Sequence, residues 1–193
     1  MTRTLLILSL AAAAIAAGAK PASKAAPVEY TNFSMDSFFK CAVPKAWEQK
    51  RDQAAEGKTK IYEVELLGPR VENAPVMILV GYYAKDNKDF RDYKDFIERN
   101  SKDTIGRTET PTSKYSPVKE SALNKKKAFS FERDVKEFLH PEGSSDEFVM
   151  VKEKFYVLPA KEGFHVLHYY APQSAFSRHL AVFNKVASTF KGL

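Results

Sequence analysis

The segment PVMILVGYYA, from Pro75 to Ala84, constrains the fold more than any other part of the sequence. It is nearly continuous in apolar residues, yet it is shorter than an ordinary buried helix and lacks the alternation of a strand with one wet face. Such a run is typical of a central strand that is covered on both faces. A chain that contains it needs packing layers on both sides of a sheet.

Other segments alternate apolar and polar residues, as half-buried strands do. FFKCAVP, which begins at Phe38, places Phe39, Cys41 and Val43 on one face. After a turn at Pro44, we expect the following WEQKRD to return antiparallel to it. Further strand-like segments lie at 28–34, 60–68, 114–124, 128–139, 148–159 and 164–172. Short turns join most of them, which predicts an antiparallel, meandering sheet.

Two segments change to helical spacing. DFRDYKDFIERNSKDTI, residues 89–105, has an apolar stripe, with Asn87 or Asp89 as the expected N-cap and Gly106 as the expected stop. A second stripe runs over residues 173–190. Together the elements predict an α+β fold, an α/β/α-type sandwich with a central antiparallel sheet and these two main helices.

The N-terminal segment indicates export. Arg3 precedes an apolar stretch at 5–17, and small residues follow as far as Ala19. This apolar stretch is shorter than the roughly 20 residues of a spanning helix. The pattern predicts a cleavable signal peptide at 1–19, a flexible tether at 20–27 and one domain at 28–193. We therefore expect a periplasmic or secreted protein, of bacterial type, without a transmembrane span in the mature chain.

Charge and cysteine content narrow the possibilities further. The chain has 30 Lys and Arg against 24 Asp and Glu, a formal net charge of +6 at pH 7, with both signs interspersed. This small excess favours acidic partners such as an anionic membrane face. No stretch combines dense arginine with aromatic residues, so nucleic-acid binding is not expected. One cysteine leaves no internal disulfide, and the fold depends on its apolar core.

Three segments resemble the PsbP-like fold, named for an extrinsic protein of photosystem II. They are the early FKCAVPKAW, the mid-chain DFRDYKDFIERN and the closing VASTFKGL. The resemblance covers about 33–190. It implies a mostly non-catalytic superfamily whose members bind, stabilise or assemble other proteins. No metal-binding residue of the photosystem branch matches a motif here, so none is carried over.

The sequence contains no motif for catalysis, metal binding or cofactor binding. GxSxG, HExxH, CxxC and glycine-rich phosphate loops are all missing. His165 and His168 stand three apart on one strand and point to opposite faces, so they cannot ligate one metal together. Cys41 is expected to be a buried core residue beside Phe39 and Val43. We expect no catalytic residue, no metal ligand and no cofactor.

Lysines and tyrosines are the candidates for a partner surface. The lysine-rich turn at Lys125, Lys126 and Lys127 is expected to be exposed, and rings at Tyr83 and Tyr169 could supply contact area beside it. Packing of these rings under the flanking helices is the competing interpretation.

The favoured function is a non-catalytic binding or accessory protein that interacts with another protein or an envelope component. The alternative is a carrier of a small apolar ligand or lipid, which requires a pocket of several hundred Å³ between a helix and the sheet. A hydrolase is the third possibility, and it requires titratable side chains that converge in a cleft. The oligomeric state is left open.

Overall fold

The computed structural model describes residues 27–102, 114–140 and 146–193. In chain order they form β1 (Tyr30–Met35), β2 (Phe39–Pro44), β3 (Glu48–Lys50), α1 (Gln53–Thr59), β4 (Ile61–Val71), β5 (Ala74–Ala84), α2 (Tyr93–Ser101), β6 (Lys114–Tyr115), β7 (Lys119–Leu123), β8 (Lys126–Phe138), β9 (Phe148–Ala160), β10 (Gly163–Pro172), α3 (Gln173–Thr189) and β11 (Lys191–Gly192). The predicted signal peptide, most of the tether and Gly106 lie outside the described residues.

A large antiparallel sheet forms the centre of the fold. Its strand order is β3-β4-β5-β10-β9-β8-β6, and β7 pairs with β8 beside β6. The apolar strand β5 lies between β4 and β10, where Val80 is opposite both Val64 and Leu167. The predicted central position of this strand is therefore confirmed. The predicted meander of hairpins β7–β8, β8–β9 and β9–β10 is confirmed as well.

Helix α3 covers one face of the large sheet. The ring of Phe183 stacks on Tyr169 of β10 at 5.3 Å, and Tyr169 Oη donates to the carbonyl oxygen of Phe176 at 2.8 Å. Aromatic and aliphatic side chains that are almost fully buried fill this interface. Burial on this scale, about 25 cal/mol per Å² of apolar surface, is the main term that holds α3 in place.

Helix α2 covers part of the opposite face, which confirms the predicted sandwich. Phe96 packs on Tyr83 and Phe164 at ring distances of 5.6 and 5.7 Å. The predicted N-cap is wrong by several residues: Asp92 caps the helix and accepts from Asp95 N at 2.9 Å. Asn87 instead closes the preceding turn, since its amide bonds both the N–H and the carbonyl of Phe90. No helix within the described residues is long and apolar enough to cross a bilayer.

The predicted first hairpin is wrong, because β2 does not pair with the segment after Pro44. Strand β2 lies in a separate three-stranded sheet of order β1-β2-β11, whereas β3 joins the edge of β4. Trp47 provides the reason: its buried ring lies against Gly68 of β4, where a Cβ atom would approach to 2.7 Å. Packing of this ring draws the chain from the small sheet to the large one.

Cys41 is a core residue, as predicted. It is buried on β2 together with Phe39 and Val43. Burial raises the pKa of the Cys41 thiol to about 12. The thiolate is the reactive form of cysteine, so this residue is chemically inert at neutral pH.

His165 is buried at the junction of the two sheets. Its ring lies 5.0 Å from that of Tyr82 and 5.3 Å from that of Phe190, and Nδ1 has no hydrogen-bond partner among the described residues. Burial, with a smaller contribution from the charge of Lys126, lowers the pKa of His165 to about 4. The native state therefore holds a neutral imidazole.

This buried imidazole makes the fold sensitive to acid. The folded pKa lies below the ordinary 6.5, so the native state binds fewer protons and stability falls as pH drops from above 6.5 toward about 4. We expect His165→Phe to remove this component, which is worth about 2 kcal/mol between pH 7.5 and pH 5. Urea unfolding at the two pH values measures it, with the exposed His140→Asn as control. Equal pH dependence in wild type and His165→Phe would contradict the assignment.

Candidate functional site

The structure removes both tyrosines from the predicted partner surface. Tyr83 and Tyr169 are 7% and 0% exposed and lie on opposite faces of the large sheet. The ring of Tyr83 stacks on Phe164 at 4.9 Å beneath α2, and Tyr169 lies beneath α3. Burying these two rings is more favourable than exposing them to water. The competing interpretation, that they pack under the flanking helices, is therefore correct.

The three lysines are exposed, as predicted, but they do not form one turn. Asn124 and Lys125 make the two-residue β7–β8 connection, with φ of 51° and 67°, and β8 begins at Lys126. Lys127 Nζ pairs with Glu120 at 2.9 Å, and Lys126 Nζ donates to the carbonyl oxygen of Gly192 at 3.0 Å. Two of the three ammonium groups therefore already have partners within the protein.

The β7–β8 connection packs against the end of α3. Asn124 Nδ2 donates to the carbonyl oxygens of Ala187 at 2.9 Å and Phe190 at 2.7 Å. These carbonyls belong to the last turn of the helix and its cap, where backbone acceptors otherwise lack partners. The lysine-rich segment therefore lies close to the end of α3.

A row of polar side chains crosses the outer face of the small sheet at this place. In the strand register Ser34 of β1 is opposite Lys40 of β2, and Lys40 is opposite Lys191 of β11. Side chains at directly opposite positions share a face and lie close together. Asn32 continues the same face of β1, opposite the small side chain of Ala42.

Helix α3 forms the wall beside this row. Thr189 Oγ1 accepts from the backbone N–H of Ala42 at 2.9 Å and donates to carbonyl oxygens one turn back in α3. The resulting notch has a volume of about 570 Å³. Its lining consists of Asn32, Phe33, Ser34, Lys40, Cys41, Ala42, Ser188, Thr189 and Lys191, and none of these side chains is acidic. We call this site the basic notch.

The charge of the basic notch is not neutralised within the described residues. No carboxylate of those residues lies within 4.0 Å of the ammonium nitrogen of Lys40 or Lys191, although ion pairs are frequent elsewhere in the fold. The negative end of α3 is nearby, but Asn124 already bonds the carbonyl oxygens of Ala187 and Phe190 there. Like charges directly opposite on neighbouring strands are destabilising. The notch is therefore suited to an anionic group.

A larger cleft, of about 720 Å³, lies between α1 and the edge of the large sheet and is acidic. Arg51 Nε pairs with Glu56 at 2.5 Å, whereas Glu63 on β4 receives only a 3.4 Å bond from Tyr83 Oη. Burial, and to a smaller extent the nearby carboxylates Glu65, Asp89 and Glu56, raise the pKa of Glu63. Sequence analysis missed this cleft, although the spacing of Glu63 and Glu65 on one face of a strand was a visible signal.

Three titratable side chains converge elsewhere, at Arg133, Glu153 and His168. Arg133 Nε bonds Glu153, and His168 Nε2 lies 3.4 Å from Glu153 Oε1 while its ring stacks on Phe155 at 4.1 Å. Burial opposes ionisation of Glu153, but the neighbouring His168 imidazole and the hydrogen bond from Arg133 outweigh it and lower its pKa to about 2. Glu153 is therefore an ion-pair partner rather than a proton acceptor. As predicted, His165 and His168 lie on opposite faces.

Comparisons with known proteins identify the fold. No protein-family model and no curated protein sequence matches the chain. The solution structure of cyanobacterial PsbP (CyanoP) from Synechocystis sp. PCC 6803 is similar over 92% of this chain and 99% of that one, at 12% identity and a TM-score of 0.50. The resemblance to the PsbP-like fold is thereby confirmed, at the level of fold.

Two other structures align less well. LpqN, described as involved in cell envelope biogenesis of Mycobacterium tuberculosis, matches over 86% of this chain and 91% of its own at 14% identity, with a TM-score of 0.47. The Ran-binding protein Mog1p of Saccharomyces cerevisiae matches over 86% and 96% at 10% identity, with a TM-score of 0.45.

The unpaired carboxylate of the acidic cleft predicts a stabilising substitution. A raised folded pKa means that Glu63 lowers stability once it ionises, as pH rises through its folded pKa. We expect Glu63→Gln to increase the free energy of unfolding at pH 7 by about 1 kcal/mol and to have little effect near pH 4. Urea unfolding measures both values. The free energy of unfolding of the exposed control Glu162→Gln should differ from that of wild type by no more than about 0.5 kcal/mol. A Glu63→Gln variant that is less stable than wild type at pH 7 would refute the argument.

Proposed function

We propose that this chain is an exported, non-catalytic binding protein that holds an acidic partner, a protein or another envelope component, at the basic notch. The observation that carries the proposal is the cross-strand pair Lys40 and Lys191, which has no carboxylate partner within the described residues. A partner that supplies the missing negative charge removes the repulsion between the two lysines.

The remaining chemistry supports binding rather than catalysis. The one thiol is buried with a raised pKa, and the most perturbed carboxylate, Glu153, is bonded by Arg133. Nucleophilic and acid–base catalysis need groups that can change their protonation state near neutral pH. Export rests on the signal-peptide pattern of residues 1–19.

An apolar carrier is less well supported. The space between α3 and the large sheet, where such a ligand would sit, is filled by Phe176, Phe183, Val186 and Tyr169, each at most 6% exposed. The basic notch and the acidic cleft both open to solvent and carry charged side chains in their linings. These linings favour a charged group over a lipid chain.

Charge reversal at the notch tests the proposal. The full chain is immobilised and incubated with an envelope extract at low salt, and bound protein and bound phosphorus are both quantified after salt elution. We expect Lys40→Glu/Lys191→Glu to reduce retention about tenfold, because a 1.4 kcal/mol change in binding free energy corresponds to that factor. Retention by wild type should also fall at high salt.

The matched control carries the same change in net charge elsewhere. Lys88 and Lys161 are exposed and lie outside the notch. Lys88 is in the loop that precedes α2, and Lys161 is in the β9–β10 turn. The variant Lys88→Glu/Lys161→Glu should retain as much material as wild type. Equal losses in the two double variants would show that only overall charge matters, and the proposal would then be abandoned.

A further inference from the structure

The notch offers two kinds of hydrogen-bonding group on separate walls. On the small sheet, the ammonium groups of Lys40 and Lys191 lie in one row with the hydroxyl of Ser34, and the amide of Asn32 adjoins them. None of these four side chains has a hydrogen-bond partner among the described residues. Ammonium groups only donate, and hydroxyl and amide groups can donate as well. This wall therefore has two groups that can only donate, the ammonium groups, and two that can donate or accept.

The α3 wall has the opposite character. The hydroxyl groups of Ser188 and Thr189 already donate, at 3.0 Å, to carbonyl oxygens one turn back in the helix. A hydroxyl whose proton is used in this way can only accept a further hydrogen bond. The donors and the acceptors face one cavity, with Ala42 as a small residue between them.

We propose that the basic notch binds the phosphate ester of a polyol, such as a glycerol phosphate group, and this rests on the proposed function. The phosphate oxygens accept from Lys40, Lys191 and Ser34, and the hydroxyl groups of the polyol donate to Ser188 and Thr189. A volume of about 570 Å³ accommodates both parts of such a ligand.

Phosphate fits this site better than a carboxylate does. A phosphate monoester carries up to two negative charges and three strong acceptor oxygens, which matches two ammonium groups and the neighbouring hydroxyl. A phosphodiester headgroup carries one charge and two such oxygens, which can still bridge the two ammonium groups. Lysine binds phosphate as a point charge, so two ammonium groups can hold it without the arginine fork. The lining of the notch contains lysine and no arginine.

The same geometry predicts that substitution of Lys191 by an acid raises the thermal stability of the protein and lowers its affinity for the ligand. Replacing Lys191 by an acid places opposite charges on Lys40 and its cross-strand neighbour, which is favourable. We expect Lys191→Glu to raise Tm by about 2 °C and to weaken ligand binding by at least about tenfold. A lysine that serves only as a solvated surface charge would produce no loss of binding.

Calorimetric titration of the full chain tests the inference. The probes are glycerol 3-phosphate, inorganic phosphate and glycerol, together with vesicles of phosphatidylcholine with and without phosphatidylglycerol. We expect glycerol 3-phosphate to bind more tightly than inorganic phosphate and glycerol not to bind. Wild type and the control Lys88→Glu should behave alike, and Lys191→Glu should lose affinity while it gains Tm.

The arms of the experiment distinguish the source of the phosphate. Binding of soluble glycerol 3-phosphate supports a free ester, and binding only to vesicles with phosphatidylglycerol supports a lipid headgroup. Equal affinity for inorganic phosphate would overturn the polyol assignment to Ser188 and Thr189. If neither ester nor vesicle binds while retention of envelope material still depends on Lys40 and Lys191, the phosphate inference fails and the proposed function stands. If retention of envelope material does not depend on Lys40 and Lys191 either, both fail.

Discussion

The end of α3 is held from two sides, and the position of the small sheet depends on it. Thr189 accepts from the backbone N–H of Ala42 in β2, and Asn124 donates to two carbonyl oxygens at the helix terminus. A helix end leaves carbonyl oxygens without intrahelical partners, so these bonds satisfy groups that must otherwise be hydrated. They also hold β2 and the β7–β8 connection against the end of α3.

Charge is distributed unevenly over the two sheets. The acidic cleft lies at one edge of the large sheet, and the basic notch lies on the outer face of the small sheet. Some charges elsewhere are compensated, as in the pairs that Lys152 and Lys154 form with Glu132 at 3.0 and 3.1 Å. Glu63 differs because its carboxylate is largely buried, and Lys40 and Lys191 differ because they are like charges at directly opposite positions of neighbouring strands. Both arrangements reduce stability, which makes them candidates for functional sites.

Local pattern was a good guide to elements and a poor guide to long-range pairing. Period-two alternation correctly placed Cys41 in the core and the two histidines on opposite faces. The same pattern could not reveal that Trp47 packs over Gly68, and so it assigned β3 to the wrong sheet. The cap of α2 was misplaced for a local reason, because Asn87 and Asp92 are both suitable caps and only turn geometry separates them.

The sequence by itself determined the main strands, helices α2 and α3 and the lysine-rich segment near Lys125, but it did not reveal α1 (Gln53–Thr59). These properties follow from periodicity and composition, which act over a few residues. Only the tertiary structure decided that Lys191 lies opposite Lys40, that Ser188 and Thr189 wall the same cavity, and that Tyr83 and Tyr169 are unavailable. Those contacts join segments that are distant in the chain. They follow from the packing of α3 between the two sheets, which is favourable because it buries apolar surface.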